Sequence, residues 1–110
     1  MQKYYIVTQA DTEDNGHFLY ANGVFQDDNG NTQLCINAEE ARQLIAEDVA
    51  EMCHDGTPFG INEDEEVEIR GKKRIINFVL KHMKPEAGQF AEVMFYDGSK
   101  RNYTINEITI

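Results

Sequence analysis

The chain has 110 residues and a formal charge of −10, from 20 acidic against 10 basic side chains; 41% of residues are hydrophobic and there is no Trp. That length suits a single domain over residues 1–110, since two halves would each be too short to bury a core, and the apolar content excludes wholesale disorder. The excess of negative charge argues against direct nucleic-acid binding, which needs a basic footprint, and against anionic membrane surfaces.

Residues 3–8 (KYYIVT) are β-branched and aromatic and predict a strand. The cluster DTEDNG from Asp11 to Gly16 predicts a turn, with Asn15-Gly16 its hairpin dipeptide and His17 to Tyr20 the returning strand. Asn22-Gly23 marks a second turn or bulge, Val24 to Gln26 stays extended, and DDNGN at 27–31 makes a third turn. Thr32 to Ile36 is a short strand or the lead-in to a helix. The clearest helix follows Asn37, an N-cap residue with Glu40 three positions on, as a capping box requires. Ala41, Leu44, Ile45, Val49, Met52 and Cys53 recur at helical spacing as one apolar stripe. Glu40, Gln43, Glu47, Glu51 and His54 fall on the opposite face, and Asp55-Gly56 with Pro58 stops the helix.

Residues 57–62 (TPFGIN) predict a loop with two apolar side chains tucked inward. After the acidic run from Glu63 to Glu66, Val67 and Ile69 alternate with charged residues, as in a short strand or a helical turn. For residues 72–84, Ile75, Ile76, Val79, Leu80 and Met83 fit a helix face, with Lys81, His82 and Lys84 at its C-terminal end and Pro85 beyond. The β-branched content leaves a strand as the alternative. Phe90 to Tyr96 and Arg101 to Ile110 flank Asp97-Gly98, the signal of a type I′ hairpin. The expected fold is therefore α+β, an antiparallel sheet with two helices on one face and a C-terminal β-hairpin.

The opening residues contain no apolar run of signal-peptide length, and no stretch is long enough to span a membrane, so a soluble, cytoplasmic protein is expected. Cys35 and Cys53 then read as two reduced, half-buried thiols rather than a disulfide.

Charge is unevenly spread. Residues 1–69 hold 16 acids against two bases, a charge of −14; residues 70–110 hold eight bases against four acids, a charge of +4. The acids gather in the turns (Asp11, Glu13, Asp14, Asp27, Asp28), on the helix face (Glu40, Glu47, Glu51) and most densely at Glu63, Asp64, Glu65, Glu66 and Glu68. Each cluster alone is accounted for as a solvated, solubilising surface or, for the last, by pairing with the bases of 70–84. Their combined field points instead to a basic partner.

No motif for catalysis stands out. His17, His54, His82, Cys35 and Cys53 lack zinc spacing, and the adjacent Cys53 and His54 diverge on a helix, so no metal or other cofactor is expected. The loop from Asp27 offers oxygens at positions 1, 3 and 5, but Gly30 stands at position 4 and Ala38 replaces the calcium-binding Glu at position 12. Ser99 is the only serine and lies in the hairpin turn, outside a G-x-S-x-G context. Gly71-Lys72-Lys73-Arg74 opens a helix but lacks the rest of a P-loop. Among the aromatics, Tyr5, Tyr20 and Tyr96 are hot-spot candidates if outward-facing.

Size, acidity, α+β build and this want of a catalytic signature resemble the small acidic accessory proteins of phages and mobile elements, anti-CRISPR and other anti-defence inhibitors among them. The resemblance is one of type, and it implies a nucleic-acid mimic rather than an enzyme. The expectation is a non-enzymatic inhibitor or regulator whose acidic surface (Glu63, Asp64, Glu65, Glu66, Glu68, with Glu40, Glu47 and Glu51) occupies the basic, nucleic-acid-binding surface of an intracellular partner. The alternatives are a homo-oligomeric module joined by complementary charged surfaces or sheet edges, and a small Cys/His enzyme.

Overall fold

The computed structural model describes residues 2–12 and 23–110. In chain order its elements are β1 (Lys3–Thr12), β2 (Gly23–Val24), α1 (Ala38–Cys53), β3 (Phe59–Ile61), α2 (Lys72–His82), β4 (Phe90–Phe95) and β5 (Lys100–Thr109). The strands form one antiparallel sheet in the order β2-β1-β5-β4-β3. The first and last long strands thus lie side by side at its centre, in register from Lys3↔Thr109 to Thr12↔Lys100.

Side chains alternate across the pleat, and the odd-numbered positions of β1, β4 and β5 face the helices. Val7, Ala91, Val93, Tyr103 and Ile105 are buried there with Phe59 and Ile61 of β3. Ile45, Val49 and Cys53 of α1 and Ile75 and Val79 of α2 close the core from above. Phe78 of α2 meets Phe59 edge-on at 6.0 Å between ring centroids, so both helices cover one face of the sheet. This is the expected α+β arrangement.

α1 begins as its sequence dictates. Asn37 Oδ1 accepts from the Glu40 amide at 2.9 Å, and the Glu40 carboxylate reaches back to the Ile36 amide at 3.3 Å. Leu44 and Met52 sit half-buried at the margins of the stripe, while Ala46 and Ala50, outside it, are fully buried. α1 is covered by α2 as well as by the sheet, so its buried face is wider than one stripe. Residues 72–82 are helical, and Met83 ends α2 with its amide on the Val79 carbonyl at 2.8 Å.

Several local expectations are corrected. Asp11 and Thr12 belong to β1, not to a turn, because they pair with Arg101 and Lys100 of β5. The Asn15-Gly16 turn and the strand at 17–20 lie outside the described residues, and Gly23 is a strand residue opposite Gln9. Phe59–Ile61 is a strand rather than a loop, its side chains buried against β4. Residues 63–70 form neither a strand nor a helical turn; single bridges, Phe59↔Val67 and Asp55↔Arg70, hold them. The hairpin at Asp97-Gly98 is not type I′. Only Gly98 has a positive φ, 85°, and the Gly98 amide donates to Phe95 O while the Phe95 amide donates to Ser99 O, each at 2.9 Å. That is a type I turn closed by a glycine bulge. Asp97 Oδ1 fixes it by accepting from the Ser99 amide at 2.9 Å and the Ser99 hydroxyl at 2.6 Å.

Candidate functional site

The acidic run is held by backbone geometry on both sides. At the end of β3, Asn62 takes a φ of 55°, donates its amide to Glu92 O at 2.6 Å and accepts the Glu92 amide on Oδ1 at 3.2 Å. The chain then turns sharply, with the Asp64 amide on Ile61 O at 3.0 Å. The Asp64 carbonyl passes so close to Gly60 that a Cβ there would lie 2.9 Å from it. Beyond the acids, Val67 exchanges both backbone hydrogen bonds with Phe59, at 2.8 and 3.1 Å, and Val67 and Ile69 pack on the core. Glu63, Asp64, Glu65, Glu66 and Glu68 are all exposed between these anchors.

None of these five carboxylates has an ion-pair partner among the described residues. Two of the neighbouring bases are engaged elsewhere: Arg70 donates to the Asp55 carbonyl at 2.6 Å, and Lys72 reaches Glu51 at 2.7 Å. The acidic loop and the basic stretch thus do not neutralise each other through these contacts.

Glu63 and Asp64 share an open groove of about 490 Å³ with Asn62, Phe90 and Glu92. Phe90 is 68% exposed, and Glu92 is tied to Lys100 at 3.7 Å. The groove sets a bare aromatic ring among carboxylates. The sequence points to the acids but not to Phe90.

The helix acids are placed differently. Glu40 serves the helix cap, Glu47 accepts from Gln43 Nε2 at 3.1 Å, and Glu51 is held by Lys72. The hydrogen bond and charge of Lys72 lower the Glu51 carboxyl below the usual range. None of the described contacts joins these three to the 63–68 loop, and local structure uses each of them.

A second cluster lies between α1 and the central strands. Arg101 grips Asp11 with two hydrogen bonds, at 2.6 and 2.8 Å, and reaches Asp48 Oδ2 at 3.0 Å. Tyr103, fully buried, donates its hydroxyl to the same Asp48 oxygen at 2.6 Å. Burial, with the Asp48 charge, pushes the Tyr103 phenol well above its ordinary range. The phenol is therefore a fixed donor at neutral pH, and the cluster binds α1 to β1 and β5.

The sulfur groups lack the features of nucleophiles. Cys35 and Cys53 are fully buried, deeper than expected, and unpaired. Burial raises both thiols, Cys53 to about 11, opposite in direction to an activated cysteine. Of the tyrosines that are hot-spot candidates if outward-facing, Tyr96 is 69% exposed, Tyr5 packs against the core and Tyr20 lies outside the described residues. Among the described residues no group of three His, Cys, Asp or Glu side chains is arranged to hold a metal ion, and no helix is long and apolar enough to cross a membrane.

Comparison with protein-family models, with curated proteins and with solved structures finds no match to this chain.

Proposed function

We propose that this chain is a non-enzymatic inhibitor or regulator that occupies the basic, nucleic-acid-binding surface of a partner protein, in the manner of an anti-CRISPR or other anti-defence protein. One observation carries the reading: the exposed carboxylates of Glu63, Asp64, Glu65, Glu66 and Glu68 have no ion-pair partner among the described residues and stand on an anchored loop beside the exposed ring of Phe90. An acidic row held in place can take the Arg and Lys side chains that otherwise bind phosphates, and its charge steers the encounter. The adjoining ring adds a desolvated anchor, and guanidinium groups stack well on aromatic faces. Glu40, Glu47 and Glu51 contribute to the long-range field rather than to contacts, since each already serves the fold.

The test is displacement of nucleic acid from basic effectors, CRISPR nucleases included, in a mobility-shift titration. The native chain is expected to release the nucleic acid from one of them. Glu63→Lys, Asp64→Lys and Glu65→Lys combined are expected to abolish release without unfolding the chain. Failure to displace nucleic acid from any effector, or equal displacement by the triple variant, would overturn the proposal.

A further inference from the structure

We infer that the helix-free face of the sheet is a self-association surface, packing against the same face of a second copy of this chain. Even-numbered residues of β1, β4 and β5 form that face. Cys35 pairs with Tyr5 and is buried toward the helices, so its neighbours Leu34 and Ile36 fall on the other side, beside Ile6 and Tyr4. Val24, opposite Thr8, belongs to the same face. Ile110 is 68% exposed, Ile36 61%, Val24 43% and Leu34 41%, and Ile6 and Ile108 lie among them half-covered. Leu34 and Ile36 lie beside Ile6 and Tyr4, and Tyr4 pairs with Ile108, so the exposed apolar side chains adjoin at one corner of the face, and such a cluster marks an interaction site.

Charge identifies the occupant. In a chain of net −10, the even-numbered positions of β1, β4 and β5 carry only Glu92 and Lys100 as charges, and these pair with each other at 3.7 Å. A second copy is repelled wherever carboxylates stand bare, and the β1–β5 part of this face, away from Glu63 and Asp64 beside Phe90, is where it can approach without opposing charge. A basic protein is drawn to the acidic loop instead. The size also fits. The ten residues each of β1 and β5, the six of β4 and the short segments beside β1, at about 3.3 Å per residue and 4.8 Å per strand, give a footprint of roughly 500 Å² before side-chain relief is counted. Two such faces come to about 1,000 Å² in total, the lower bound of a specific interface and the size of one that dissociates on dilution. The corner formed by Ile6, Leu34, Ile36, Ile108 and Ile110 is apolar and free of charge, as the buried centre of a homodimer interface is.

The inference does not rest on the acidic loop having a partner. Phe90 stands at the β4 margin of this face, so the test uses the opposite margin. Sedimentation equilibrium of the whole chain is expected to show a species of twice 12.6 kDa that dissociates on dilution. Added salt should tighten it, because screening relieves repulsion between two acidic copies. Ile36→Glu and Ile110→Glu, both at exposed positions and checked for native circular dichroism, should each weaken it roughly tenfold or more, as an interface residue does. Glu65→Gln should leave it intact. A monomer at every concentration and salt would overturn the inference and leave the face to a different occupant. So would a dimer that salt dissociates, which would be one joined by ion pairs, or one that both glutamate variants leave intact.

Discussion

Arg101 and Asp11 face each other in register across the two central strands, joined through Nε to Oδ1 at 2.6 Å and Nη2 to Oδ2 at 2.8 Å. The guanidinium is about one-fifth exposed, as is the carboxylate, so water screens the pair little. Its remaining nitrogen, Nη1, bonds Asp48 of α1, and Tyr103 joins at the same carboxylate. Strands 90 residues apart in sequence are thereby tied to each other and to the helix above.

Replacing Arg101 by Met keeps much of the aliphatic packing but leaves two part-buried carboxylates facing each other without a cation. Breaking such a pair by removing one partner is strongly destabilising, and here the expected loss is about 2–4 kcal/mol, allowing for partial exposure. Tyr103→Phe removes one donor and should cost about 1–2 kcal/mol. Urea unfolding midpoints measure both. A loss for Arg101→Met no larger than that for Tyr103→Phe would show that the network is not cooperative.

Stability should fall on the alkaline side. Cys53, with an ordinary value of 9.0, is raised to about 11 by burial, and the Tyr103 phenol rises well above 10.0. Both groups become charged on losing a proton, and both lose it more readily in the unfolded chain. Their contribution is therefore complete below pH 9 and is lost as pH climbs through the folded values. Each proton lost only on unfolding adds a slope of about 1.4 kcal/mol per pH unit. Urea titrations from neutral to strongly alkaline pH should show this decline beginning near pH 9. Cys53→Ala should reduce its first part, to which the raised Cys35 thiol also contributes, and Tyr103→Phe should remove its later part. Phenolate absorbance from Tyr103 should appear only with unfolding.

What could be read from the sequence was local in origin. Asn37 and Glu40 announce α1 because cap and carboxylate lie three residues apart. The acidic run is visible because its members are contiguous. Asp11 misleads because its turn chemistry is overridden by Arg101, a partner far along the chain. β3 is hidden because three residues beside a proline carry no periodicity, and they become a strand only through their pairing with β4. The exposure of Phe90 is hidden because both faces of β4 carry apolar residues. Alternation places Phe90 with Glu92 and Met94, without saying which set meets the core.

Gly60 should be the least replaceable residue near the acidic loop. Its backbone suits any strand residue, but an added Cβ would lie 2.9 Å from the Asp64 carbonyl, a backbone atom that cannot swing aside like a side chain. Gly60→Ala must push the loop off β3, with an expected loss of about 1–3 kcal/mol, in the range of core overpacking. Since that loop carries Glu63 to Glu66, displacement of nucleic acid from the partner should weaken as well. Thermal unfolding and the mobility-shift titration read the two effects separately. Unchanged behaviour in both would show that the loop does not depend on this contact.

Stability and binding should respond oppositely to neutralising the acids. Glu63→Gln, Asp64→Asn, Glu65→Gln and Glu66→Gln together remove four exposed like charges from one short loop, and like charges so close in sequence repel one another. Exposed charges contribute little each, so unfolding should shift by no more than about 0.5–1 kcal/mol, toward greater stability. Partner affinity should fall steeply, and the dependence of what remains on salt should flatten, because the steering charge is gone. Phe90→Ala should also weaken binding, but without altering the salt dependence, since the ring carries no charge. A solubilising surface behaves differently: neutralising it raises aggregation, while Phe90→Ala and the salt dependence of any partner contact are unaffected. Measuring affinity against salt for the three proteins in parallel separates a binding surface from a solvated one.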